Sequence, residues 1–198
     1  MKRHLFLCGP AFCGKSGLIR TCLGTALSAA GGFATGLSAS EDGGLLGCTL
    51  FPAAAAGGVE GFEKALFLDL RSMPPKHDSE VFRGMGTRLL EEAAYYPFAV
   101  LDEIGGMDLI IPQFRVALDR LLDSELPILG VLKSAEAAED LRRLLGPGER
   151  FRAFSDRLHS RLSGDPKAEI LNIEENAEQE AKEAVSAWVC EYASLNGF

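Results

Sequence analysis

The sequence has no long apolar run, no closely spaced cysteine pair and no surplus of positive charge, and each absence removes a class of function. Behind Met1-Lys2-Arg3-His4 the apolar stretch extends only from Leu5 to Cys8 before Gly9-Pro10, and Lys15 and Arg20 interrupt the next segment. That is too short for the core of a secretion signal and far too short to span a bilayer. A soluble, cytoplasmic protein without a membrane partner is therefore expected. The five cysteines are an odd number at irregular spacings with no Cys-x-x-Cys pair, which argues against zinc and thioredoxin-like chemistry and for reduced thiols. His4, His77 and His159 lie far apart without ligand spacing, so no histidine metal site is expected. The net charge of −8 repels nucleic-acid backbones and anionic membranes. No extended nucleic-acid surface is expected, although a local basic site for one polyanionic ligand remains compatible. No repeat, low-complexity tract or linker divides the chain, so residues 1–198 are expected to form one domain large enough for a proper core. The oligomeric state is left open, with a monomer favoured.

Beyond these absences, strand and helix signals alternate along the chain. Leu5 to Cys8 reads as a strand buried on both faces, and Lys15 to about Ala29 reads as a helix stopped by Gly31-Gly32. Residues 31 to 64 are rich in glycine and alanine, and Leu45 to Phe51 suggests a β-hairpin or meander. Ala65 to Leu70 is another strand, and Ser79 is expected to cap a helix reaching about Ala94. Phe98 to Leu101 forms a strand ending in Asp102-Glu103. Pro112 then opens a helix whose Phe114, Ala117, Leu118, Leu121 and Leu122 share one face. Ile128 to Leu132 is a third buried strand, followed by a helix over 135–145 that stops at Gly146-Pro147-Gly148. A basic helix over 150–161, a strand from Ala168 to Ile173 and a last helix burying Ala181, Ala184, Val185, Trp188 and Tyr192 complete the chain. Strands joined to helices by short connections indicate an α/β fold with a largely parallel sheet.

Two stretches carry chemistry. The first is Gly9-Pro10-Ala11-Phe12-Cys13-Gly14-Lys15-Ser16, a Gly-x-x-x-x-Gly-Lys-Ser pattern between a strand and a helix. In a phosphate loop the glycines let the backbone curl and aim its N–H groups at the anion, and the helix N-terminus adds its dipole. Lys15 would reach the β- and γ-phosphates, and the Ser16 hydroxyl would ligate Mg²⁺. The plain alternative is a helix-capping turn with a surface lysine. The second stretch is Asp102-Glu103. A carboxylate at a strand end serves to hold a metal near bound phosphates, and its neighbour can orient or deprotonate a water. The plain alternative is a solvated strand end.

These stretches, together with Gly31-Gly32-Phe33-Ala34-Thr35, Leu101 to Leu109, Pro127 to Lys133 and Ile173 to Asn176, resemble the small P-loop nucleoside-triphosphatases. That family includes the cancer-related nucleoside-triphosphatase and its thermophile relatives. The resemblance covers most of the chain, and Asp-Glu-Ile-Gly-x-Met-Asp-Leu is its most specific element. It implies a RecA-like three-layer P-loop sandwich with an added β-hairpin, and hydrolysis of ATP, GTP and other NTPs to NDP and phosphate with Mg²⁺. Carried over by position, Gly9, Pro10, Ala11, Phe12, Cys13, Gly14, Lys15, Ser16 and Gly17 bind nucleotide. Ser16 and Asp102 serve the metal, while Lys15 and Glu103 are catalytic, Glu103 activating water.

Two departures from the family pattern stand where nucleotide-contacting loops are expected. Gly36-Leu37-Ser38-Ala39 replaces an acidic residue and an arginine, and Leu132-Lys133 replaces Val-His. Both bear on substrate preference and turnover. Arg142, Arg143, Arg150, Arg152, Arg157 and Arg161 form a basic segment that is either a lid supplying a transition-state arginine or a solvated helical face. Besides hydrolysis, the loop is compatible with a kinase acting on a small molecule or polynucleotide end. It is also compatible with a low-turnover nucleotide-dependent switch.

Overall fold

The computed structural model describes residues 1–39, 43–58, 60–145, 151–173 and 178–194. In chain order the elements are β1 (His4–Gly9), α1 (Lys15–Leu23), β2 (Ala30–Ala39), β3 (Leu45–Pro52), β4 (Ala65–Asp69) and β5 (Lys76–His77). There follow α2 (Ser79–Val81), α3 (Thr87–Glu92), β6 (Phe98–Ile104), α4 (Pro112–Asp123), β7 (Ile128–Lys133), α5 (Ala135–Leu145), α6 (Phe151–Gly164), β8 (Ala168–Asn172) and α7 (Glu178–Trp188). All eight strands join one sheet in the order β5-β4-β3-β2-β6-β7-β1-β8. From β2 to β8 each neighbouring pair is parallel, and β3, β4 and β5 extend the β2 edge antiparallel. The added hairpin of the sequence reading is thus a three-strand antiparallel wing, and Gly36 to Ala39 lies within β2, paired with β3, rather than in a loop.

Strand alternation sorts the core into two layers. Leu5 and Leu7 of β1 face α1 and α7, where they pack with Ile19, Val100, Val131 and Trp188. Phe6 and Cys8 face α3, α4 and α6, where Phe33, Phe82 and Phe114 form an edge-on aromatic group. Continuous apolar strands are what a sheet covered on both faces requires. All five apolar residues expected on the face of α4 are buried, and Pro112 is its first residue. Trp188 is fully buried against Phe98, and its indole N–H donates to the carbonyl of Arg3 at 3.0 Å.

Three expectations are corrected. The first helix ends at Leu23, where Gly24 turns with φ 51° into a 3₁₀ segment over Gly24–Ala29. Gly31-Gly32 is consequently no helix stop but part of β2. Gly32 holds φ +83°, and a Cβ there would stand 2.3 Å from the carbonyl oxygen of Val100 on β6. The close approach of two strands, invisible in one strand's sequence, is what demands the glycine. Second, Asp78 rather than Ser79 caps the next helix, its carboxylate accepting the N–H of Glu80 at 3.0 Å. Third, that helix is not continuous. It passes through a π-helical turn over Phe82–Gly86, held by a bond from the Thr87 hydroxyl to the Phe82 carbonyl, before resuming as α3. The expected stop at Gly146-Pro147-Gly148, Arg150 and the matched residues Glu174 to Asn176 lie outside the described residues. Among the described residues no helix is long and apolar enough to cross a membrane.

Candidate active site

Parallel strands bring their C-terminal ends to one edge of the sheet, where ligands of open α/β folds bind. Here β1 delivers Gly9, β6 delivers Asp102 and Glu103, and β7, lying between them, delivers Lys133.

Residues 10–14 form an exposed loop between β1 and α1. Gly14 caps α1 in a left-handed conformation, φ 87°, and its carbonyl accepts the first helical bond, from Leu18. Phe12 also holds φ 61°, which costs a non-glycine residue about 1 kcal/mol, and its side chain is almost wholly exposed. Lys15 is buried. Its ammonium donates to the carbonyls of Gly9, at 3.0 Å, and of Pro10, and lies 3.5 Å from the Cys13 sulfur. The lysine is therefore folded back under the loop instead of projecting into solvent, contrary to the plain alternative of a surface lysine. All five cysteines are free thiols.

Asp102 stands near the end of β6, paired with Ala34 on one side and Val131 on the other. It is 3% exposed, and its carboxylate accepts a 2.6 Å hydrogen bond from the Ser16 hydroxyl. Burial raises its pKa to about 6, opposed by the Ser16 bond and, more weakly, by Arg20 and Lys15, and assisted by the charge of Glu103. The solvated-strand-end alternative for Asp102 is thereby overturned. The register between β6 and β7 shifts between Asp102 and Ile104, so Glu103 is the extra residue of a bulge. Bulges redirect a side chain at a strand end. The half-buried Glu103 carboxylate pairs with the Lys133 ammonium.

Asp108 holds the turn behind the acid pair. Its buried carboxylate accepts the N–H groups of Gly106 at 2.7 Å and Gly105 at 3.3 Å, while burial raises its pKa to about 6. The Arg115 guanidinium bonds the Leu109 carbonyl at 2.6 Å and covers the Phe154 ring at 4.0 Å, tying this turn to α4 and α6. Asp108 belongs to the motif Ile-Gly-Gly-Met-Asp-Leu, but the sequence reading gives it no role, and its part as a turn anchor comes from the structure.

Beside the loop lies a groove of about 260 Å³ bounded by Cys13, Gly14, Lys15, Gly17, Leu18, Thr21, Ile173 and Lys182. Sequence reasoning misses Leu18, Thr21, Ile173 and Lys182. Ile173 reaches the groove because β8 pairs with β1, its N–H donating to the Cys8 carbonyl at 2.7 Å, and no local signal encodes that pairing. The basic segment is mostly committed to ion pairs. Arg142, Arg143 and Arg152 converge on Glu139, and Arg161 engages Asp119 and Asp123 of α4. Arg157 lies 6.0 Å from the Phe154 ring.

Among the described residues, a metal beside the loop would find the hard oxygens of the Ser16 hydroxyl and the Asp102 carboxylate, which already lie 2.6 Å apart. Oxygen ligands with few protein contributors suit Mg²⁺, which keeps waters and phosphate oxygens in its shell. The residues present fit that ion.

A family model described as NTPase matches residues 4–155, a range that holds the loop, the acid pair and Lys133. The crystal structure of THEP1 from the hyperthermophile Aquifex aeolicus is similar in fold. Its TM-score is 0.61 at 14% sequence identity, covering 92% of this chain and 96% of that one. No curated protein matches. With a loop, an acid pair and a strand order of this kind, and a family match over most of its length, the chain belongs to the small P-loop NTPases.

Proposed function

We propose that the protein hydrolyses ATP, GTP and other nucleoside triphosphates to the diphosphate and phosphate with Mg²⁺, acting in the cytoplasm as a single domain. The observation that carries this reading is the Ser16–Asp102 hydrogen bond, which ties the loop to the acid pair across the sheet edge. The loop amides and the N-terminus of α1 bind the β-phosphate, and Lys15 exchanges its loop carbonyls for β- and γ-phosphate oxygens. Ser16 and Asp102 would hold Mg²⁺, which supplies charge neutralisation at the phosphates when bound. Glu103 accepts a proton from water as the water oxygen bonds to the γ-phosphorus. The bond between that phosphorus and the β,γ-bridging oxygen breaks, and the nucleoside diphosphate leaves with the electron pair. The groove beside the loop supports a place for the ribose and base.

Phosphate release from a panel of NTPs tests this. Wild type should release phosphate with Mg²⁺, Lys15→Ala should lose nucleotide binding, and Glu103→Gln should bind nucleotide but release phosphate about 10²-fold or more slowly. Tight binding without release in wild type overturns the hydrolase. It would favour a low-turnover switch, a second reading supported by the engagement of Glu103 with Lys133. Release that persists in both variants overturns the residue roles.

A further inference from the structure

Lys133 ends the strand that separates the phosphate loop from the acid pair. On one side its register partner is Gly9, the first loop residue, whose carbonyl is bonded by Lys15. On the other side its ammonium pairs with Glu103. Both side chains are mostly buried, at 18% and 24% exposure, so the pair is shielded from the screening that makes surface ion pairs weak. The backbone at Lys133 is fixed as well, because His159 of α6 contacts its carbonyl oxygen at 2.8 Å. Arg142, Arg143, Arg152 and Arg161 are held by Glu139, Asp119 and Asp123. Lysine is a compact charge on a flexible four-carbon stem, so it can change partners without moving its backbone.

We propose that Lys133 discriminates triphosphate from diphosphate: a bound γ-phosphate draws its ammonium away from Glu103, and the freed carboxylate then serves the attacking water. The physical basis is a competition between two anions for one cation. Glu103 offers a single negative charge, whereas a terminal phosphate offers up to two and three acceptor oxygens. A diphosphate ends inside the loop, where its last phosphate meets the amides and Lys15, and leaves the Lys133–Glu103 pair intact. This inference rests on the nucleotide-binding part of the proposed function for its first half and on hydrolysis only for its second.

Calorimetric titration with Mg²⁺ and either a non-hydrolysable triphosphate or the diphosphate tests it without turnover. Lys133→Met should weaken triphosphate binding about tenfold or more while changing diphosphate binding less than about twofold, the loss expected for one charged contact. Lys133→Arg should restore most of the discrimination. Glu103→Gln should tighten triphosphate binding by releasing the lysine, and this gain should vanish when combined with Lys133→Met. Equal weakening of both nucleotides by Lys133→Met, or of neither, overturns the proposal. If Lys133→Met fails to fold, Glu103→Gln in the wild-type and Lys133→Arg backgrounds decides by the same criterion. Wild type that binds neither nucleotide overturns this proposal and the hydrolase together. Wild type that discriminates as described but releases no phosphate overturns the hydrolase and the role of the freed carboxylate, and leaves the discrimination by Lys133 standing.

Discussion

Asp102 and Asp108 are the two buried acids among the described residues. Each carries a pKa raised to about 6, for which burial is the leading cause. An acid whose folded pKa lies above its unfolded value binds protons more tightly when folded. Between the ordinary aspartate range and about pH 6 the folded state therefore holds more protons than the unfolded state, and stability falls as pH rises through that window. The whole effect is present above it, at about 2–3 kcal/mol for each acid. Asp102→Asn removes one of these contributions while keeping a partner for Ser16. Thermal melts from pH 4 to 7.5 should show wild type losing stability relative to the variant across the window. Parallel melting curves would refute the assignment. The same substitution should abolish phosphate release, so this acid is retained at a cost in stability.

At the scale of elements, the junction of β2 and β6 governs where Asp102 sits. Gly32→Ala would place a Cβ 2.3 Å from the Val100 carbonyl, two residues before Asp102, on a backbone that alanine adopts poorly. A loss of at least about 2 kcal/mol is expected from strain and clash combined, measurable by urea unfolding, together with reduced phosphate release as β6 shifts. Elements with strong local signals were legible in the sequence. The apolar runs of β1, β6 and β7 and the stripe of α4 lie where the sequence reading puts them. Gly31-Gly32 was misread because a glycine pair after a helical stretch looks like a stop. Its true cause is a contact between strands about 70 residues apart. The same reason explains the site. Lys15, Ser16 and Asp102, which the structure places at one edge of the sheet, each belong to a local motif with a mechanism. The partnership of Lys133 with Glu103 could not be found, since it depends on β7 lying between β1 and β6.

At the scale of the whole molecule, five parallel strands gather every residue assigned to chemistry at one edge of the sheet, and the antiparallel wing of β3, β4 and β5 continues the sheet beyond β2. The chain carries a net charge of −8, yet the site holds the ammonium groups of Lys15 under the loop and Lys133 beside Glu103. Trp188 belongs to the opposite edge. Its indole is fixed to Arg3, just before β1 begins, whereas the loop starts where β1 ends, six residues and roughly 20 Å away. The chain has one tryptophan, so its intrinsic fluorescence is a single optical reporter with a known address. Emission should be blue-shifted in the folded protein, shift to the red in one step with loss of far-ultraviolet circular dichroism, and stay nearly constant on saturation with nucleotide. A titration signal must come from a fluorophore introduced at the loop, and the exposed side chain of Phe12, replaced by tryptophan, offers that position.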